Sequence, residues 1–290
     1  MGSILLIKAQ PSDKEELGSP YNLSIFYYMQ VIANVTVITE MGEKMIFSGF
    51  TVFIFGLLIG SFLNVVIYRL PEGESIAFTR SHCSECGTEL GILDLIPVIS
   101  FVLIKGRCRY CGTKLSYQYP LVELLTGVLF LIVFIKYYFS IKFWIYLLLI
   151  SLLIAISFID FKRQIIPNRI TYLGIVIGLI LSLLFDHITF IAALWGLLIP
   201  SGFLLLIAII TKGGMGVGDV KLAAMIGTYI GFKYTLIGIF IRSLFGSILG
   251  LGLIGLGIKE RKDRIAFGPL IALGAVLMVL WGTEIINFIN

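Results

Sequence analysis

The sequence predicts an all-α, polytopic membrane protein, and three observations carry that prediction. Of its 290 residues, 58% are hydrophobic and 13% charged, with a mean hydropathy of +1.02, far more apolar than a soluble domain. Apolar stretches near the roughly 20 residues that cross a bilayer recur along the chain. Lysine and arginine are spread unevenly over the loops between those stretches.

Residues 1–45 combine Pro11, Asp13, Glu15 and Glu16 with a weakly apolar stretch from Tyr21 to Ile38. They lack the basic opening of a cleavable signal peptide. They are expected to be an N-terminal extension of uncertain origin, with Met41 or Met45 as the natural start, and a ninth span within them stays open. The first transmembrane helix is expected at 46–68, followed by a loop at 69–118 and a transmembrane core over 119–290. Spans in that core fall near 119–138, 143–159, 170–185, 190–211, 233–257 and 267–288. The 220–232 stretch is short for a span. It makes the eighth helix, or else a re-entrant or interfacial segment.

With eight helices the loops sort into two groups. Loops 69–118, 160–169, 211–221 and 258–266 hold 15 Lys and Arg, and the other side holds 6, with Arg242 inside a span. The positive-inside rule then makes the first group cytoplasmic and puts both termini outside. The net charge of +5 follows from this bias. It calls for anionic lipid as a partner and for no nucleic acid.

All four cysteines lie in the 69–118 loop, as Cys83-Ser-Glu-Cys86 and Cys108-Arg-Tyr-Cys111, with 21 residues between the pairs. Each pair is followed by Gly-Thr and, one residue on, by Leu, so the loop contains a small internal repeat. Two such knuckles offer four thiolates to one tetrahedral ion, the pattern of a closed structural zinc site. Two disulfides are the competing reading, which a reducing cytosol disfavours. His82 reads as a surface histidine, since four sulfurs complete the site.

Asp160 and Asp219 each stand where an apolar run meets a short polar stretch, in Ser157-Phe-Ile-Asp160 and Gly216-Val-Gly-Asp219. Carboxylates at membrane depth are expensive and mark function by default. Two that share a site hold one proton between them and can activate water, the chemistry of an aspartic protease. The plain alternatives are a charge at a helix end for Asp160 and an N-cap for Asp219. Pro167 is expected to break the helix after Asp160, with the next one starting near Arg169. The Gly213–Gly218 run gives the backbone freedom ahead of Asp219, and Lys221 is expected to favour its anion along with the helix N-terminus. Glu123 lies inside a span, as a third active-site carboxylate or a structural hydrogen-bond partner. Arg242 either pairs with an acid or snorkels. His187, in a short outer loop, has no assigned role.

At these residues the chain resembles the prepilin peptidases, the type IV leader peptidase family of Gly-x-Gly-Asp membrane aspartic proteases. The resemblance covers about 46–288 and rests on several motifs. They are Gly60-Ser-Phe-Leu-Asn-Val-Val-Ile67 with Arg69-Leu-Pro71, the cysteine pairs, Tyr119-Pro-Leu-Val-Glu-Leu-Leu-Thr-Gly127, Ile159-Asp160, Ile166-Pro167, Gly216-Val-Gly-Asp-Val-Lys-Leu222 and Phe267-Gly-Pro269. It implies that Asp160 and Asp219 are the catalytic pair, supported by Gly216, Gly218 and Lys221. It further implies cleavage of type IV prepilins or type II secretion pseudopilins after the glycine of a basic leader, at the cytoplasmic face of the bacterial inner membrane. Methylation of the new N-terminus by S-adenosylmethionine is implied for many members, with Gly106 and Arg107 resembling the region tied to it. Where the family often has aspartate after Ile-Pro, this chain has Asn168.

The substrate implied by this resemblance is itself a hydrophobic helix with a basic head. A basic leader is repelled by Arg107 and Arg109, so acidic loop residues among Glu72, Glu74, Glu85, Glu89 and Asp94 are expected to meet it. Two other classes compete. A proton- or cation-coupled transporter using Asp160, Asp219 and Glu123 requires acids at several depths, and a methyltransferase without peptidase activity tolerates loss of both aspartates.

Overall fold

A backbone in hydrocarbon must satisfy its hydrogen bonds within its own segment, so apolar runs of this length fold as helices. The computed structural model describes residues 20–76, 81–83, 85–211, 216–255 and 267–289, with side chains described except at 20–41, 249, 253, 254 and 289. Among the described residues there is no strand, only two isolated bridges in the cysteine loop.

The chain divides into two compact units, residues 1–48 and 49–290. In the first, the described residues 20–48 are helical and form the opening part of α1 (Pro20–Glu72). The remainder of the expected extension, 1–19, lies outside the described residues.

The second unit contains the rest of α1 and seven further helices. They are α2 (Ile99–Leu103), α3 (Gln118–Tyr137), α4 (Ile141–Arg163), α5 (Asn168–Leu184), α6 (Phe190–Ile210), α7 (Val217–Gly255) and α8 (Gly268–Ile289). Among the described residues, six helices are long and apolar enough to cross a membrane, and α5, with 17 residues, is a shorter apolar one. Ser140 caps α4 by accepting from the Phe143 N–H, and Thr189 caps α6 through the Ala192 N–H. Pro167 precedes α5 as expected, so the break after Asp160 falls where the proline placed it. α4 is central, with 72% of its apolar window buried inside the protein against 22% for the peripheral α6.

α7 is not straight. Gly231 has φ 79° and ψ 169°, outside the helical region. On one continuous helix, residues 219 and 242 would stand about 35 Å apart. Their side chains instead meet at 3.3 Å, so the chain reverses at Gly231 and runs back alongside itself. The halves are 217–230 and 232–255, which correspond to the two stretches predicted on either side of residue 232.

Side-chain contacts gather the expected loops at one end of the bundle. Glu72 at the end of α1 pairs with Arg163 at the end of α4. Lys221 donates to Asn168 Oδ1 at 2.9 Å, joining α7 to α5, and the Gly268 N–H donates to Asp160 at 2.8 Å, joining α8 to α4. Lys136 and Glu284 pair at the opposite end, between α3 and α8. The placement agrees with the charge-based sorting of the loops, although the basic loop with Lys259, Arg261, Lys262 and Arg264 lies outside the described residues. The short helix α2 and a 3-10 turn over Ile92–Leu95 sit between the cysteine pairs, where a plain loop was expected.

Candidate active site and metal centre

Asp160 sits in the last turn of α4 and Asp219 in the first turn of α7, and both are buried. Two adjacent residues at the start of α8 tie them together. The Gly268 N–H donates to Asp160 Oδ2, and a Cβ at position 268 would stand 2.8 Å from that oxygen, so no larger residue fits there without displacing the carboxylate. The Phe267 ring lies under the guanidinium of Arg242 at 4.8 Å, and Arg242 pairs with Asp219 Oδ2 at 3.3 Å.

Arg242 is therefore the cation at Asp219, a role for which the sequence analysis left two readings open. The signal that finds it is the reversal at Gly231, with Asp219 and Arg242 at matching distances on either side. Lys221 does not serve this carboxylate as expected. Its ammonium goes to Asn168 and over the Tyr172 ring at 5.2 Å. Asn168 thus fastens two helices together.

The supporting glycines also differ from expectation. Gly216 accepts from the Asp219 N–H at 3.1 Å, within the first turn of α7. Gly218 keeps an ordinary negative φ, and its missing side chain makes room for Ile166, whose Cβ would stand 2.9 Å from a Cβ at 218. Residues 212–215, the remainder of the glycine run, lie outside the described residues.

Glu123 takes the structural option. Buried on α3, it accepts from the Val98 N–H at 2.7 Å. Val98 has φ 61°, unfavourable for a β-branched residue, so Glu123 grips the cysteine loop at a strained point. Asp160, Asp219 and Glu123 all lie toward the loop end of the bundle. A transport path with acids at several depths is not supported.

The four cysteines come together as the repeat predicted. Their ligand atoms lie within 4.8 Å of one another, with Cys83 and Cys111 Sγ at 3.9 Å and none in a disulfide. Sulfurs at about 2.3 Å around a tetrahedral ion stand about 3.8 Å apart, so the cluster fits a zinc-sized ion. The two knuckles share one backbone plan. In the first, the Cys83 carbonyl accepts from Gly87 N–H and Cys83 N–H donates to Thr88, and Cys108 does the same with Gly112 and Thr113. Gly87 and Gly112 turn with φ of 68° and 73°. Hydrogen bonds from Thr88 and Thr113 hold the Cys86 and Cys111 thiols below the usual range, and the amides of Cys111 and Tyr110 do so for Cys108. The amides of Cys86 and Glu85 favour the Cys83 thiolate, but burial and the sulfurs beside it push this thiol up to about 11. His82 is exposed, outside the cluster.

Gly106 turns with φ 65° against Phe101, and Arg107 is exposed. Neither lines the cavity of about 270 Å³ beside the loop, whose walls include Tyr68, Lys114, Tyr119 and Lys162. Among the expected leader-binding acids, Asp94 is held by Gly91 N–H, Tyr110 Oη and Arg109, and Glu72 by Arg163, while Glu74, Glu85 and Glu89 are exposed. His187 is buried near the end opposite the aspartates, and burial lowers its pKa.

Two family models match the chain: the bacterial peptidase A24 N-terminal domain over residues 54–137 and the type IV leader peptidase family over 147–251. A Bacillus subtilis protein named prepilin leader peptidase/N-methyltransferase is 36% identical over 236 residues, covering 81% of this chain and 95% of its own. Proteins of the same name from Aeromonas salmonicida and Pseudomonas aeruginosa are each 34% identical, covering 81% and 79% of this chain and 91% and 89% of theirs. No solved structure matches.

Proposed function

Because the chain belongs to the type IV leader peptidase family, we propose that it is a membrane aspartic endopeptidase that removes the leaders of prepilins, with Asp160 and Asp219 as the reacting pair. The observation that carries the residue assignment is the bracketing of both buried carboxylates by the adjacent residues Phe267 and Gly268. A pair of this kind holds one proton. Arg242 beside Asp219 favours that proton on Asp160. Asp219 then takes a proton from water, while the acid form of Asp160 donates to the scissile carbonyl oxygen. The gem-diol intermediate collapses as Asp160 takes back a hydroxyl proton and Asp219 passes its proton to the leaving amine, which restores the starting pair. Asp160 and Asp219 face the cytoplasm in this reading, as the loop charges require, in a bacterial inner membrane rich in anionic lipid.

Zinc supplies a structural cross-link when bound, through Cys83, Cys86, Cys108 and Cys111. Its four protein ligands leave no open position for catalysis. The relatives' names pair the peptidase with an N-methyltransferase, and we extend that second activity to this chain, with S-adenosylmethionine as methyl donor. Gly106 and Arg107 lie in the cysteine loop and are the residues this reading ties to it. Exposed Glu74, Glu85 and Glu89 meet the basic leader in this reading.

The test is cleavage of a synthetic prepilin by purified protein in detergent, read by mass spectrometry. Wild type is expected to cut after the leader glycine, and Asp160→Ala and Asp219→Ala each to abolish the cut with zinc content and helicity unchanged. Cleavage that survives either substitution removes the two-aspartate assignment.

A further inference from the structure

A groove of about 560 Å³ runs between α6 and the second half of α7. Ile199, Phe203 and Ile207 line it at helical spacing on one side, and Leu236, Phe240 and Ser243 on the other. These walls are not filled by the protein's own core, since Phe203 is 48% and Phe240 71% exposed. The groove also reaches Arg242 and Phe267, the residues that hold Asp219.

Glycine contacts explain why the gap is there. α6 is pinned to the first half of α7 where Gly196 meets Gly227, since a Cβ on Gly196 would fall 2.0 Å from the Gly227 carbonyl oxygen. The second half of α7 is drawn toward α8, where a Cβ on Gly274 would fall 2.3 Å from the Gly238 carbonyl oxygen. The reversal at Gly231 lets the two halves take different partners. Buried Leu204 of α6 and Ile239 of the second half of α7 share one apolar cluster at the floor, and the outer faces of the two helices diverge above it to leave the trough.

We propose that this groove seats the apolar helix of the prepilin substrate, and that Arg242 marks the end at which the bond preceding that helix meets Asp219. This rests on the peptidase reading above and deepens it. The groove reaches Arg242 and Phe267, which hold Asp219, its walls are apolar apart from Ser243 and Arg242, and its lining on α6 recurs every four residues along the helix. A membrane peptidase that cuts just ahead of an apolar segment needs such a trough, because the segment cannot leave the bilayer without losing its burial. The segment instead slides in sideways and stays in hydrocarbon while the polar junction reaches the carboxylates.

The test uses the full chain in nanodiscs. Wild-type cleavage of the prepilin is measured first, so that failure of the peptidase reading shows itself separately. A photo-crosslinking amino acid is then placed at Phe240, or at exposed Leu173 on α5 as a control, in an Asp219→Asn background that holds uncut substrate. The expected result is a crosslink from position 240 to the prepilin's apolar segment, at least tenfold above that from 173. In otherwise wild-type protein, Leu236→Trp narrows the groove and is expected to raise KM about tenfold more than it lowers kcat, whereas Leu173→Trp changes neither. Crosslinks from 240 to phospholipid only, to a second copy of this chain only, or at equal yield from both positions overturn the proposal. An unchanged KM for Leu236→Trp also overturns it, provided wild type cleaves.

Discussion

Arg242 is buried against Asp219 and stacked on Phe267, so its charge acts at short range in a poorly screened place. Truncating one partner of a buried pair costs about 3–5 kcal/mol, because the other charge is left uncompensated. Arg242→Met is therefore expected to cut the cleavage rate at pH 7 at least a hundredfold. The acidic limb of its pH–rate profile should move to higher pH, since without the cation a higher pH is needed to keep Asp219 ionised. Arg242→Lys should recover part of the rate, because an ammonium supplies the charge without the planar stack on Phe267. Initial rates across pH for the three proteins decide the matter, and a profile that does not move would leave Arg242 a packing role only. Asp160 and Asp219 were visible in the sequence because carboxylates are conspicuous at the ends of apolar runs. Arg242 had no visible partner because its partner lies on the other side of a chain reversal.

At the scale of elements, helix positions were legible from apolar runs, and the break at Pro167 from a residue that cannot continue a helix. The reversal at Gly231 was legible only as a doubtful boundary, since a glycine among apolar residues looks the same in a helix as in a turn. The turn and short helix between the cysteine pairs were not legible, because Ile92 to Leu103 has too few residues for a period to show. Close packing of α6 on α7 depends on Gly196 and Gly227, whose missing side chains let the backbones touch. Gly196→Leu is expected to cost about 1–3 kcal/mol or more through overpacking, and to shift the second half of α7 through the turn beside it. Thermal unfolding in detergent should register this as a lowered Tm, and prepilin cleavage should fall with it. An unaltered Tm would show that the contact is not tight.

For the whole molecule, the cysteine loop is the part least able to fold alone, and its four sulfurs supply the cross-link that a small core cannot. Elemental analysis is expected to find one zinc per chain. In Cys108→Ser the metal should be lost and the segment between residues 81 and 116 become sensitive to protease, while the helicity of the bundle holds. Because thiol ligands give up protons on binding, affinity for zinc should fall as pH falls. Metal retained by Cys108→Ser would remove the four-sulfur site. Glu123 connects this loop to the bundle through Val98, so the loop's stability and the helices' arrangement are linked by one hydrogen bond at a strained residue.

The doubling back of α7 also makes the protein a gauge of its own length. Asp219 and Arg242 stand 12 residues before and 11 after Gly231, and they face each other because the two legs match. Each residue on a helix adds about 1.5 Å and turns the next side chain by about 100°. Deleting a single residue from either leg would therefore point one of the two away from the other, even with every side chain at the site intact. The count between the charges is as much a part of the site as the charges themselves.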